Sequence, residues 1–166
     1  MITIDIDAFV AATLAEDLGT LGDITSLAVI PADARFTGVM DSRDPIVVAG
    51  LDLAEAFFRS LDPTVRIERL VEDGQQVAAG TELMRLEGLA RAMLTAERSA
   101  LNTMQHLSGI ATMTRRYVDE LRGTGATLLD TRKTIPGLRV LEKYATRMGG
   151  AQNHRMGLWD AAMIKD

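Results

Sequence analysis

Apolar positions Ile6, Phe9, Val10, Leu14 and Leu18 recur at helical spacing, which predicts an amphipathic helix over about residues 5–18, ended by Gly19. Shorter apolar runs follow. Residues 36–40, 46–49, 65–71 and 82–87 are predicted as strands, the last two by clear period-two alternation, with a helix over about 51–60. Glu72-Asp73-Gly74 and Ala79-Gly80 mark turns between them. Met93, Ala96, Ala100, Leu101, Met104, Leu107, Ile110 and Ala111 then predict one long helix from 90 to about 121, its methionines serving as flexible core filler. After Gly123-Thr124-Gly125 the pattern changes to a strand at 126–130, a helix at about 138–148 and a strand at 161–165. Strands alternating with helices imply parallel pairing through crossover connections.

The fold class expected from this order is α/β: an α+β sandwich with its long linking helix at 1–122, then the first units of an incomplete β/α barrel at 123–166. Two parallel strands do not close a barrel, and an edge reading Ala161-Ala162-Met163-Ile164 would invite pairing. The chain therefore reads as the N-terminal portion of a longer protein.

Composition narrows the function. With 18 Lys+Arg against 23 Asp+Glu, the net charge of −5 argues against a nucleic-acid partner, which recruits basic surfaces. There is no cysteine and there are only two histidines, His106 and His154, so thiol chemistry and a histidine-rich zinc site are excluded and no metal ligand is assigned. No run approaches the length of a membrane span, and Met1-Ile2-Thr3-Ile4-Asp5 lacks the basic and apolar regions of a signal peptide, so a cytoplasmic protein without a membrane partner is expected.

Against this acidic background the cations Arg132, Lys133, His154, Arg155 and Lys165 crowd into segments read as strand ends and turns. That is a site for a small, multiply charged anion. Arginine's fork matches a carboxylate, and lysine offers a compact charge suited to phosphate oxygens. Arg132 and Lys133 follow the strand ending at Asp130, and Lys165 ends the next, so both sets fall at the C-terminal mouth where β/α barrels build their sites.

The segment Asp130-Thr131-Arg132-Lys133-Thr134-Ile135-Pro136-Gly137 and the run from Asn153-His154-Arg155 to Asp160 resemble the quinolinate phosphoribosyltransferase family. So do Glu16-Asp17-Leu18-Gly19, Gly22-Asp23-Ile24-Thr25-Ser26 and Ala96-Glu97-Arg98-Ser99-Ala100-Leu101-Asn102, in the same order. The resemblance implies a carboxylating nicotinate-nucleotide pyrophosphorylase of NAD biosynthesis, converting quinolinate and phosphoribosyl pyrophosphate to nicotinate mononucleotide, pyrophosphate and carbon dioxide. It implies that Arg132, His154 and Arg155 grip the quinolinate carboxylates, with Lys133 and Lys165 lining the pocket in catalytic positions nearer the ring carboxylates and the pyrophosphate. Arg98 is implied to reach the quinolinate of a neighbouring subunit in a homodimer. Mg2+ would accompany phosphoribosyl pyrophosphate, its ligands lying outside this chain.

Local readings complete the set. His106 is expected to be structural; Arg139 and Glu142 are expected on a solvated helix face, Lys143 to turn toward the mouth, and Leu158 and Trp159 to pack beneath the His-Arg loop. Two other functions fit the same residues: a molybdenum-transport-associated relative of the fold, and a non-catalytic fragment or dimerisation module.

Overall fold

The computed structural model describes residues 5–164. The elements follow in the order α1 (Ile6–Leu18), α2 (Ile24–Val29), β1 (Arg35–Asp41), β2 (Ile46–Val47), α3 (Leu51–Leu61), β3 (Arg66–Arg69), β4 (Gln76–Val77), β5 (Glu82–Leu89), α4 (Ala90–Glu120) and α5 (Arg139–Met148). Six of the predicted strands and helices before Gly123 therefore stand within a few residues of their expected bounds, as does the 31-residue α4. Asp5 caps α1 by accepting the Ala8 amide at 2.9 Å, and Asp23 caps α2 through Ser26 at 2.9 Å.

Strands β1, β5 and β3 form an antiparallel sheet in that order, and β2 pairs with β4. One hydrophobic cluster joins this sheet to α1, α3 and the first half of α4 through Val10, Leu14, Phe57, Met84, Ala96 and Met104. A second joins α3, the later half of α4 and α5 through Leu53, Leu107, Ala111, Leu141 and Ala145. Helix α4 is thus the common spine, and its later half seats α5. Side chains on α4 also bond the backbone of β2 and its continuation: the Val47 amide donates to Thr112 Oγ1 at 2.8 Å, and the Ala49 amide to Ser108 Oγ at 3.0 Å.

The barrel-like end departs from expectation. Leu129 does make a parallel bridge, but to Gln152, with Asp130 N–H donating to the Gln152 carbonyl at 3.1 Å and Gln152 N–H to that of Leu128 at 2.9 Å. Residues 161–164 form no strand, because the pattern of small and apolar side chains there finds no neighbouring backbone to pair with among the described residues.

One carboxylate ties the sandwich together. Asp62, 2 % exposed, accepts the Leu89 amide at 2.8 Å just before α4, and the Thr64 amide and hydroxyl at 2.9 and 2.6 Å. The Thr64 hydroxyl and Leu89 amide bonds hold its carboxyl below the ordinary carboxylate range. A lowered folded-state pKa means that the stabilisation is present above about pH 4 and is lost as pH falls through the folded value. Asp62→Asn is expected to cost about 2 kcal/mol at pH 7, since the amide presents an N–H to one of these donors. Urea unfolding of both proteins checks this, and the gap between them is expected to narrow at pH 3.

Candidate functional site

Two loops carry the cations, and both are fastened to α5. The first, residues 131–137, turns through Ile135-Pro136-Gly137-Leu138, closed by Leu138 N–H on the Ile135 carbonyl at 3.0 Å. Proline fits the second position of this turn, and Gly137, at φ +84°, supplies the left-handed third position that a side chain disfavours. The Ile135 amide donates to Glu142 Oε2 at 3.2 Å, and the Lys133 amide to Thr131 Oγ1 at 3.0 Å. Arg139 then bridges the loops, donating to Thr134 Oγ1 at 3.3 Å and to the Met156 carbonyl at 3.1 Å.

The second loop, residues 153–160, is gripped more tightly. Lys143, 1 % exposed, pairs with Asp130 and donates to the His154 carbonyl at 3.0 Å. The Asp130 carboxylate also accepts the His154 amide at 2.8 Å, Asn153 Nδ2 at 2.6 Å and Thr146 Oγ1 at 3.2 Å. At the far end Asp160 accepts the Met156 and Gly157 amides at 2.6 and 3.0 Å; those two bonds hold its carboxyl below the ordinary range.

On the sandwich side, Tyr144 of α5 donates to Asp73, which also accepts the Gly50 and Leu51 amides at the start of α3. Burial, with the Asp73 bond and charge beside it, pushes the Tyr144 phenol well above its ordinary value. It stays a neutral donor.

The structure brings Arg132, Lys133, His154 and Arg155 onto two loops that share one anchor. Arg132 is half-buried and its Nε is enclosed without an acceptor among the described residues. A buried guanidinium nitrogen in that condition suits an anionic ligand. Lys133 is exposed; Arg155 donates to the Ala161 carbonyl at 3.0 Å with its other terminal nitrogen beside Met163 Sδ. Lys165 lies outside the described residues.

Arg98 is not brought to this cluster. It is exposed on α4 and lines a groove of about 670 Å3 with Met93, Leu94, Glu97, Leu101 and Gln105 of the same helix and residues of β1 and its following turn. No residue of the two cationic loops lines that groove.

Three local expectations are corrected. Glu142 is 9 % exposed and not solvated: His106 Nε2 lies 3.0 Å from its Oε1 and the Ile135 amide on its other oxygen. Lys143 turns inward to Asp130, so its charge is compensated before it reaches the mouth. Leu158 and Trp159 are 73 % and 74 % exposed, the Trp159 ring lying against Gly157 of its own loop, and Asp160 and Asp130 hold the loop through backbone amides. The anchors Asp130, Glu142, Lys143, Thr146 and Asn153 went unassigned as a group, although the opposed charges of Asp130 and Lys143 were visible in the sequence.

Among the described residues no group of three or more His, Asp or Glu could hold a metal ion. Of the carboxylates beside the cationic loops, Asp130 and Glu142 are already occupied by Lys143 and His106, and Asp160 by the Met156 and Gly157 amides. They do not fit a magnesium site.

Residues 23–108 match the model of the quinolinate phosphoribosyl transferase N-terminal domain, and residues 110–166 that of its C-terminal domain, so the two matches meet inside α4. The chain is 48% identical to the carboxylating nicotinate-nucleotide pyrophosphorylase of Mycobacterium leprae, over 92% of this chain and 55% of that one. It is 43% identical to the chloroplastic enzyme of that name from Oryza sativa, over 99% of this chain and 44% of that one. It thus spans about half the length of these relatives. Among solved structures, NadC from Streptococcus pyogenes superposes with a TM-score of 0.92 at 39% identity, covering 97% of this chain and 58% of that one. The nicotinate-nucleotide pyrophosphorylase of Francisella tularensis gives 0.89 at 41%, covering 96% and 58%. With both domain models matched in succession along an α/β fold that carries the two cationic loops, the chain belongs to the quinolinate phosphoribosyl transferase family.

Proposed function

We propose that this protein supplies the quinolinate-gripping part of a carboxylating nicotinate-nucleotide pyrophosphorylase, a phosphoribosyltransferase acting as a homodimer. The observation that carries the reading is the convergence of both cationic loops on α5 and Asp130, with the buried Arg132 Nε left without an acceptor among the described residues. Arg132, His154 and Arg155 take the two ring carboxylates, while Lys133 serves the ring carboxylates and the pyrophosphate, a role proposed also for Lys165, which lies outside the described residues. Arg98 of a second copy completes the pocket.

In the reaction the ribose carbon loses pyrophosphate with its bonding electrons, and the pyridine nitrogen attacks the cationic centre. The C2–carboxylate bond then breaks to release carbon dioxide. Its electron pair stays beside the quaternised nitrogen until a proton completes the C2–H bond. The protein's share is to position the ring and balance charge, which is where most of the rate arises in such transfers. Magnesium would accompany phosphoribosyl pyrophosphate; the described residues provide no site for it. A cytoplasmic location belongs to the same proposal. No helix among the described residues is long and apolar enough to cross a membrane.

The test is equilibrium dialysis against quinolinate, followed by assay of nicotinate mononucleotide after adding phosphoribosyl pyrophosphate and Mg2+. Arg132→Ala is expected to weaken quinolinate binding on the order of 10- to 100-fold, the loss of charge-assisted hydrogen bonds. A protein that neither binds nor consumes quinolinate sinks the reading, and one that binds molybdate in its place transfers it to the molybdenum-transport relative.

A further inference from the structure

Asp130 stands two residues before Arg132 on the first cationic loop, yet its carboxylate grips the second loop, accepting the His154 amide and the Asn153 side-chain amide. Lys143 closes the arrangement by donating both to Asp130 and to the His154 carbonyl. The backbone of His154 is therefore held at its N–H and at its C=O by the two halves of one ion pair. Thr146 Oγ1 bonds the same carboxylate, and Asn153 Nδ2 also reaches the Lys143 carbonyl at 2.8 Å.

We propose that the buried Asp130–Lys143 pair is a specificity-determining spacer. It fixes the separation of the two cationic loops so that they accept carboxylates on adjacent ring carbons and discriminate against wider spacings. The inference rests on the quinolinate reading of the site. Neither charged group meets the ligand: the Lys143 and Asp130 side chains are 1 % and 5 % exposed, and each charge is compensated by the other. They are positioning residues.

A buried ion pair contributes something other than stability. Apolar side chains of similar volume often stabilise a fold equally well, so stability does not account for two charges here. What an apolar contact cannot supply is direction. Asp130 and Lys143 together make hydrogen bonds to the backbone or side chains of Asn153, His154 and Thr146, and each fixes an angle as well as a distance. Lys143 is set on a rigid base, since its neighbours Leu141 and Ala145 are buried against α4. An error of about 1 Å between groups gripping one rigid ring can cost on the order of 100-fold. A clasp joining the two grips directly suppresses that error.

The test compares pyridine-2,3-dicarboxylate with pyridine-3,5-dicarboxylate, which carries the same charge at a wider spacing. The Kd ratio does not depend on how much protein is folded, so a merely structural role leaves it unmoved. Lys143→Met alone strands a buried carboxylate and invites unfolding. The double variant Asp130→Asn/Lys143→Met removes both charges together and is the decisive protein. The wild type is expected to favour the 2,3-isomer strongly, and the folded double variant to lose at least ten-fold of that preference. A folded double variant with the wild-type ratio overturns the proposal.

A second readout needs no ligand. Amide hydrogen exchange at His154 is expected to quicken ten-fold or more in the double variant, with that of Gln152, bonded to Leu128, unchanged. Unchanged exchange at His154 overturns the clasp. A wild type that binds neither acid while His154 exchange quickens as expected condemns the quinolinate reading and not the clasp.

Discussion

Gly149→Ala is expected to unseat α5 from α4 and lower the thermal midpoint by roughly 6–12 °C, the shift that about 3 kcal/mol produces in a domain of this size. Gly149 lies just past α5 at φ −70°, so backbone conformation is not the obstacle. Space is. A Cβ there would lie 2.5 Å from the Ala111 carbonyl oxygen, 2.5 Å from Thr114 Cβ and 2.8 Å from Thr114 Cγ2. These atoms belong to the backbone and the base of a buried side chain on α4, so no rotamer change relieves the clash and the helices must part. Overpacking of this kind costs about 1–3 kcal/mol, with rigid neighbours toward the upper end.

The consequence extends past stability. Lys143, Glu142 and Arg139 on α5 hold both cationic loops, so parting the helices moves all three anchors at once. Quinolinate affinity is expected to fall along with the midpoint. Gly109 on α4 is the control: a Cβ there meets nothing within 4 Å, and Gly109→Ala is expected to leave the midpoint unchanged or raise it. Calorimetric melts of both variants decide the matter. Equal midpoints for Gly149→Ala and the wild type would mean that α5 does not depend on this seat.

Which features were legible follows from how local their causes are. The long helix was visible because its apolar positions repeat inside one segment; Met93, Met104, Leu107 and Ala111 are indeed buried on one spine. Helix α2 was missed because Ile24, Leu27 and Val29 are exposed, so no core-facing stripe marks it. Only the cap at Asp23 could have signalled it. The cationic residues could be named from their types and order, but on α5 Lys143 was expected at the mouth and Glu142 on a solvated face. Their partners, Asp130 and His106, lie 13 and 36 residues away and enter only through the fold. The strand expected at 161–165 failed for a similar reason, since a strand is defined by a neighbour and not by its own alternation.

Arg98 sits apart from the two cationic loops of its own chain. His106, eight residues further along α4, is the point where the helix meets Glu142 and the cationic loops. At 1.5 Å per residue Arg98 lies about 12 Å back along the axis from that point. It opens into a groove flanked by exposed Phe36, Val39 and Leu94, an apolar rim suited to a second copy. If Arg98 serves the partner's pocket, Arg98→Ala and Arg132→Ala damage the same reaction from opposite chains. Each variant alone is expected to lose activity on the order of 100-fold, about 2.7 kcal/mol of transition-state binding. Mixed in equal amounts and allowed to exchange subunits, they are expected to recover about a quarter of wild-type activity, because half the dimers are mixed and each mixed dimer regains one intact site of two. Where turnover is absent, the same ratio is read in quinolinate sites per dimer. Recovery can arise only if the two side chains act across the interface. A mixture as inactive as its components would place Arg98 outside the shared site and reduce it to an ordinary exposed arginine on α4.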